Sequence, residues 1–117
     1  MNWYKIAYVD NVPSVLYHAT YSPHLSSINK YGLVGSLSSN YSDSKDVIYL
    51  ANDPYTAESY AETSDTVPED WLDEIVILEI DTRGLDEDKI FIDRNNLEND
   101  TFEYHGIVDP SYIKKWM

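Results

Sequence analysis

The stretch 75–80, sequence IVILEI, constrains the fold more than any other part of this chain of 117 residues. Apolar side chains occupy both alternating faces of the predicted strand until Glu79, a pattern typical of a strand that is covered on both sides of its sheet. We therefore predict an interior strand at 75–80, closed by a turn at 81–84.

Shorter apolar stretches predict further strands around this one. They cover residues 15–20, 47–50, 89–93 and 101–104, and a short C-terminal element ends at Trp116. Between them, residues 35–46, 63–74 and 95–100 are rich in polar and acidic side chains. These three segments are predicted to be exposed loops, the first of them a mobile flap.

Two helices are predicted in the N-terminal half. Ser22 is a candidate N-cap, and Pro23 suits the first helical position, where its missing N–H costs nothing. This helix is predicted to end at Gly32 in a left-handed conformation. Its apolar face carries Leu25, Ile28 and Tyr31.

The second helix is predicted at 54–62, after an Asn-Asp-Pro start signal at 52–54. Its inner stripe consists of Ala57, Tyr60 and Ala61. Together, the elements predict one α+β domain over residues 1–117, with about five short strands and two helices.

The charge balance limits the partners of the chain. It carries 21 acidic and 8 basic side chains, a net charge of −13, which argues against direct, sequence-independent binding to nucleic acid or to an anionic membrane. The acidity suits either a need for solubility or a protein that competes with DNA for a basic partner. Without cysteine, disulfides and thiolate sites are excluded. We expect a soluble cytoplasmic protein, because no apolar run reaches membrane length and the N-terminus lacks a signal-peptide core.

His18 and Thr20 are candidate ligand-binding residues. They are two apart in the predicted strand 15–20, so both side chains point to the same face. They form either a polar floor for a ligand pocket or a satisfied pair at a strand end. The 11 tyrosines and 3 tryptophans likewise suit a pocket for a flat ligand or an ordinary core. His24 and His105 belong to no motif, and three histidines without close pairing do not predict a zinc site.

Several short motifs occur in an order that resembles the ADP-ribosyltransferase superfamily. They are LYHAT at 16–20, YGL at 31–33, VIYL at 47–50, the alanine-bearing helix 54–62, the apolar strand ending at 80–81, and FEY at 102–104 before IVDP at 107–110. The resemblance spans about residues 14–113. It is to the small diphtheria-toxin-like branch with an H-Y-E motif, which includes rifampicin ADP-ribosyltransferases and, more remotely, RNA 2′-phosphotransferases. It implies a compact split sheet of short strands, with NAD+ as co-substrate.

The resemblance also implies site residues. His18 matches the histidine that contacts the ribose and amide region of NAD+, with Thr20 beside it. Tyr49 matches the tyrosine that stacks on the nicotinamide, and Tyr60 would form a second wall of the nicotinamide site. Backbone groups for the adenosine half would come from Gly32 and Leu33.

The third member of the implied H-Y-E set has more than one candidate. Glu103 lies where many relatives carry a catalytic glutamate, whereas the rifampicin-modifying relatives use an aspartate after the long central strand, which would be Asp86 or Asp88. Lys45 or Arg83 would meet the pyrophosphate. RNA 2′-phosphotransfer is less favoured, because the additional arginines and histidines of that family have no counterparts that we can place.

Three functions are compatible with these observations. The first is an NAD+-dependent ADP-ribosyltransferase, a toxin-type or phage effector by its small size, whose acceptor is a protein, a nucleic acid or a small molecule. The second is a domain that binds NAD+ or ADP-ribose without turnover. The third is an acidic interaction protein that mimics nucleic acid. Release of nicotinamide separates the first two, and affinity for basic proteins that salt weakens would favour the third.

Overall fold

The computed structural model describes residues 12–34, 47–62, 74–92 and 101–116. The strands in these ranges are β1 (Val15–Tyr21), β2 (Leu33–Val34), β3 (Ile48–Ala51), β4 (Ile75–Asp81), β5 (Ile90–Ile92), β6 (Thr101–Tyr104), β7 (Ile107–Val108) and β8 (Ile113–Lys115). The helices are α1 (Leu25–Tyr31) and α2 (Pro54–Glu62). Short 3-10 turns occupy Ser22–His24, Thr82–Gly84, Glu87–Lys89 and Pro110–Tyr112.

The strands form a split, antiparallel arrangement. Six of them build one sheet in the order β5-β6-β3-β1-β4-β8, and β2 pairs with β7 in a separate two-stranded sheet. The predicted α+β fold with a split sheet of short strands is therefore confirmed. The predicted interior position of residues 75–80 is also confirmed, because β4 has β1 on one side and β8 on the other.

The two faces of the six-stranded sheet bury two separate cores. Successive side chains on β1 point to opposite faces. One face, here named the α1 face, buries Leu16, Ile28, Leu33, Ile48, Leu50, Val76, Leu78, Ile80, Ile90, Phe102, Tyr104 and Val108. The other, here named the α2 face, buries Ala19, Tyr21, Ala51, Ala57, Ala61 and Ile77. Small alanines in this second core allow α2 to approach the sheet closely.

Helix α1 begins later than the sequence predicts. The predicted N-cap at Ser22 is wrong, since residues 22–24 form a 3-10 turn and the helix starts at Leu25. The Ser22 hydroxyl instead donates to the Glu74 carboxylate at 2.9 Å. The predicted apolar face is also too wide. Ile28 is buried, but Tyr31 is 56 % exposed. Each step of three residues falls about 60° short of a full helical turn, so Tyr31 lies at the edge of the face centred on Ile28.

The predicted end of α1 at Gly32 is confirmed. The Gly32 N–H donates to the Ile28 carbonyl at 2.8 Å, and its φ of +84° is positive, with an extended ψ of −170° rather than a left-handed helical one. A β-carbon built at this position would lie 2.0 Å from the Val108 carbonyl oxygen. Glycine is therefore needed both for the turn and for the close approach of β7.

The predicted start of α2 is confirmed and has a clear physical cause. One carboxylate oxygen of Asp53, Oδ1, accepts the main-chain N–H groups of Tyr55 and Thr56, each at 2.9 Å. The Thr56 hydroxyl donates to the other oxygen, Oδ2. These bonds satisfy helix donors that have no partner within the helix. They also lower the pKa of Asp53, the Thr56 hydroxyl having the largest effect.

Other predictions shift by a residue or lie outside the described ranges. The strands predicted at 47–50 and 89–93 become 48–51 and 90–92. The flap predicted at 35–46 and the loop predicted at 95–100 lie outside the described residues, as does the loop 63–74 apart from its last residue. No helix in the described ranges is long and apolar enough to cross a lipid bilayer.

Candidate functional site

His18 lies in the middle of β1, and its side chain is 2 % exposed. Its cross-strand neighbour on β4 is Leu78, so the imidazole lies against apolar surface. Burial lowers the pKa of His18 and outweighs a hydrogen bond to Tyr49, which raises it, while repulsion from His24 lowers the pKa further. The ring is therefore neutral at pH 7, where its two nitrogens have different roles.

The hydrogen bond to Tyr49 decides which nitrogen carries the proton. The Nδ1 atom of His18 lies 2.9 Å from the main-chain oxygen of Tyr49. A carbonyl oxygen can only accept, so Nδ1–H donates and the Nε2 atom of the neutral ring is a bare acceptor. The contact with β3 thus fixes His18 in one tautomer and directs a lone pair away from Tyr49.

Two buried polar atoms on β1 have no hydrogen-bond partner in the described part of the chain. They are the Nε2 atom of His18 and the Oγ1 atom of Thr20. Both side chains lie on the same strand face, and Thr20 is 0 % exposed. Each such atom costs about 1–3 kcal/mol if nothing binds it. One acceptor beside one hydroxyl is a suitable receptor for a hydroxyl-bearing ligand.

The pairing between β1 and β3 is interrupted beside these atoms. In the described strands, β1 pairs with β4 at seven consecutive positions, from Val15↔Asp81 to Tyr21↔Ile75. With β3 it pairs at one position, Tyr17↔Ala51. At the next residue of β1, the Nδ1 atom of His18 lies 2.9 Å from the main-chain oxygen of Tyr49 in β3. This interruption of the β1–β3 pairing, bordered by His18, is here named the gap.

Tyr49 and Glu103 lie next to each other on the side of the gap that is formed by β3 and β6. They are direct partners in the β3–β6 register, and Glu103 is the partner of Phe91 on β5. Side chains at paired positions are neighbours on one face. Glu103 is 7 % exposed, so its carboxyl group is held in a largely dry position between two aromatic residues.

His105 belongs to this group, although the sequence motifs do not include it. Its Nε2 atom lies 3.2 Å from the Oε1 atom of Glu103, and its ring meets Phe91 edge-on at 5.1 Å. The signal that could have found it is the spacing of two from Glu103, which places both side chains on one side of an extended chain. No family motif accompanies that spacing.

The structure brings the predicted residues together in two pairs rather than one group. The pairing of Tyr17 with Ala51 puts Tyr49, two residues before Ala51, on the α2 face, and Glu103 with it. His18 and Thr20 alternate with Tyr17 and therefore lie on the α1 face. The pairs are linked through the main chain of Tyr49. A ligand that contacts both pairs has to lie across the gap between β1 and β3.

The alternative carboxylates differ from Glu103 in burial. Asp86 and Asp88 are exposed, and the Asp86 side chain accepts the N–H of Asp88 in the 3-10 turn before β5. The Asp86 N–H in turn donates to the Tyr104 hydroxyl. Of the three candidates, Glu103 is the one whose carboxylate is enclosed.

The remaining predicted residues have varied positions. Leu33 is fully buried and pairs with Val108, and the Gly32 N–H is already bonded within α1. Tyr60 belongs to α2, the helix that covers the face carrying Tyr49. Arg83 is exposed and ion-paired with Asp81 at 2.6 Å. Lys45 lies outside the described residues.

A separate cavity of about 380 Å³ lies at the Val15 end of β1. Its charged lining groups pair with one another, Lys114 with Glu79 at 3.0 Å and Arg83 with Asp81. Because these charges are already compensated, the cavity offers less to a ligand than the orphaned atoms of His18 and Thr20. We therefore take the gap beside His18 as the candidate site.

Comparison with known proteins adds no relatives to these observations. The chain matches no protein-family model, and no curated protein sequence matches it. The candidate site consequently rests on its own geometry and on the motifs from which the resemblance was drawn.

Proposed function

We propose that this domain is an NAD+-dependent ADP-ribosyltransferase that acts in the cytoplasm. The observation that carries the proposal is the hydrogen bonding of the two ring nitrogens of His18. Its Nδ1–H is used by the Tyr49 carbonyl, and its buried Nε2 is an acceptor without a partner in the described residues, beside the orphaned Thr20 hydroxyl. A ribose of NAD+ offers hydroxyl groups of the kind that such an acceptor and hydroxyl would bind.

The proposed reaction needs no proton transfer by His18, whose role is to position the ribose. The bond between ribose C1′ and the nicotinamide nitrogen breaks, with its electron pair leaving on nicotinamide. An acceptor atom then donates a lone pair to C1′ and passes its proton to a base, either the Glu103 carboxylate or water. His18 and Thr20 hold the ribose in place, which lowers the entropic part of the barrier.

Glu103 is suited to stabilise the charge that develops in this reaction. Positive charge builds on the ribose as the bond breaks, and a nearby carboxylate stabilises it more strongly in a site closed to water. Glu103 is largely buried beside Tyr49, whose ring offers an aromatic wall for nicotinamide. Burial is the reason to prefer Glu103 over Asp86 or Asp88 for this role.

The first experiment is a calorimetric titration of NAD+ into the wild type and into His18→Asn. Asparagine retains an amide donor for the Tyr49 carbonyl but lacks the Nε2 acceptor. We expect at least a tenfold loss of affinity, about 1.4 kcal/mol. His24→Asn is the matched control and should bind NAD+ as the wild type does. Equal affinity in His18→Asn would remove His18 from the site.

The second experiment measures free nicotinamide after incubation with NAD+, with and without a cell lysate as a source of acceptors. Glu103→Gln should bind NAD+ and release at least tenfold less nicotinamide. Glu79→Gln is its control, since Glu79 is also a strand glutamate with a basic partner, Lys114.

The outcomes distinguish the three functions. Binding with nicotinamide release supports the transferase, and binding without release in any condition indicates a domain that binds NAD+ only. No binding at millimolar NAD+ contradicts both. In that case a basic nucleic-acid-binding protein should be titrated at two salt concentrations, because the mimic of nucleic acid predicts binding that salt weakens.

A further inference from the structure

The contact between His105 and Glu103 is of a kind that can hold a functional carboxylate in one orientation. The Nε2 atom of His105 lies 3.2 Å from Oε1 of Glu103, within hydrogen-bond range. The carboxyl side chain is 10 % exposed, whereas the imidazole side chain is 37 % exposed. His105 therefore reaches the carboxylate from the solvent side.

His105 is held in place by two further contacts, one of its main chain and one of its ring. The main-chain N–H of His105 donates to the Lys89 carbonyl at 3.0 Å, which ties this residue to the chain leading into β5. The ring lies edge-on to Phe91, with centroids 5.1 Å apart and planes at 82°. Because Phe91 is also the strand partner of Glu103, the same aromatic side chain borders both members of the pair.

A carboxylate that stabilises a developing charge has to be oriented before the reaction begins. A glutamate side chain has several rotatable bonds, and a donor on one oxygen restricts them. Nε2–H of His105 is such a donor when the neutral ring carries its proton there. It would hold Oε1 and so fix the orientation of the Glu103 carboxyl group.

We propose that His105 is a positioning residue that orients the Glu103 carboxylate through an Nε2–H···Oε1 hydrogen bond. The inference rests on the proposed function, since it assigns His105 a part in nicotinamide release. His105 does not contact the reacting atoms. Its effect is on the fraction of bound complexes in which Glu103 is correctly placed.

The test compares three substitutions of one side chain. His105→Ala should lower kcat for nicotinamide release at least tenfold and leave KM for NAD+ within twofold. His105→Gln places an amide donor near the position of Nε2 and should restore most of kcat. His105→Asn is one methylene shorter, cannot reach Oε1 as well and should stay close to alanine. His24→Ala should have the kcat of the wild type.

The results separate this inference from the proposed function. If the wild type releases no nicotinamide, the proposed function is contradicted, and the role of His105 in that reaction is contradicted as well. If the wild type is active and His105→Ala keeps its kcat, or if glutamine and alanine are equally impaired, this inference alone is overturned. A rise in KM with unchanged kcat would also overturn it.

An additional measurement does not depend on turnover. Nitrogen-15 NMR of the imidazoles reports which ring nitrogen of His105 carries the proton. We expect the Nε2–H form in the wild type and a changed Nε2 resonance in Glu103→Gln. Identical spectra would show that the two side chains do not interact in solution. Urea unfolding of each variant checks that reduced activity is not a loss of folded protein.

Discussion

The Nδ1–H of His18 donates to the main-chain oxygen of Tyr49 across 2.9 Å and joins the two sides of the candidate site. His18 lies on the α1 face, and the side chain of Tyr49 lies on the α2 face with Glu103. The contact occurs where the β1–β3 pairing stops after Tyr17↔Ala51. This hydrogen bond therefore fixes the tautomer of the imidazole. It also holds β1 and β3 together at the edge of the gap.

The first prediction concerns the pH dependence of stability. Burial lowers the pKa of His18 in the folded protein below the ordinary value of 6.5. Below pH 6.5 the unfolded chain thus binds more protons than the folded one, and the free energy of unfolding falls as pH falls. One such group contributes a slope of up to about 1.4 kcal/mol per pH unit. Urea unfolding between pH 7.5 and 5 measures it.

His18→Asn removes this titration, so its stability should depend less on pH than that of the wild type. His24 is a graded control, because it is only half-buried and burial lowers its pKa too. His24→Asn should remove a smaller part of the slope. The range above pH 5 avoids the carboxyls of Asp53 and Asp109, whose lowered pKa values affect stability in more acidic solution. Equal slopes in wild type and His18→Asn would contradict the prediction.

Much of the fold follows from local sequence signals. The stretch 75–80 is an interior strand because it is apolar on both faces, and Asp53 begins α2 because its carboxylate accepts helix N–H groups. Ser22 carries a similar local signal, yet its hydroxyl binds Glu74, 52 residues away. A tertiary partner replaces the cap there, and a sequence pattern contains no information about that partner.

The candidate site is less predictable than the fold. Alternation along β1 correctly places His18 and Thr20 on one face. Whether Tyr49 shares that face depends on the register between β1 and β3, which is set by the Tyr17↔Ala51 pair. A shift of one residue would reverse it. His105 was not predicted because it is connected to the candidate site through a contact with Glu103 and not through a motif.

The second prediction concerns Gly32→Ala. The φ of +84° is strained for alanine, and its β-carbon would lie 2.0 Å from the Val108 carbonyl oxygen. The backbone strain alone costs about 1–3 kcal/mol, because this combination of positive φ and extended ψ is adopted almost only by glycine, so a larger total loss of unfolding free energy is expected. Urea unfolding measures the loss. Ser26→Ala in the exposed face of α1 is the control, and it should be neutral or stabilise by a few tenths of a kcal/mol. Equal stability of both variants would contradict the close approach of β7.

The third prediction concerns Tyr21→Phe. Tyr21 is 0 % exposed, and its hydroxyl donates to the Ala61 carbonyl near the end of α2. Carbonyls at a helix end have no partner within the helix, so this bond anchors α2 to β1. We expect a loss of about 1–3 kcal/mol in unfolding free energy. Tyr55→Phe is the control, since Tyr55 is 67 % exposed, and it should change stability by less than about 0.5 kcal/mol. Similar effects would show that the Tyr21 hydroxyl contributes nothing.

The fourth prediction is that Thr20→Val stabilises the protein without ligand and weakens NAD+ binding. The Oγ1 atom of Thr20 is buried without a hydrogen-bond partner in the described residues. Replacing the hydroxyl by a methyl group removes a desolvation cost, and we expect a gain of about 1 kcal/mol in unfolding free energy. Such opposite effects on stability and binding are typical of residues kept for function. Thermal unfolding with and without NAD+ measures both, because at a fixed ligand concentration the rise in Tm grows with the affinity of the ligand for the folded protein.

Thr101→Val is the matched control for this substitution. Thr101 is also 0 % exposed and lies on a neighbouring part of the same sheet, but its hydroxyl is not one of the two orphaned atoms. Valine should therefore destabilise the protein at position 101, because a partner there loses its hydrogen bond. If Thr20→Val is destabilised by a similar amount, the Thr20 hydroxyl has a partner in the free protein, such as an ordered water. It would then be a structural group instead of a vacant binding group.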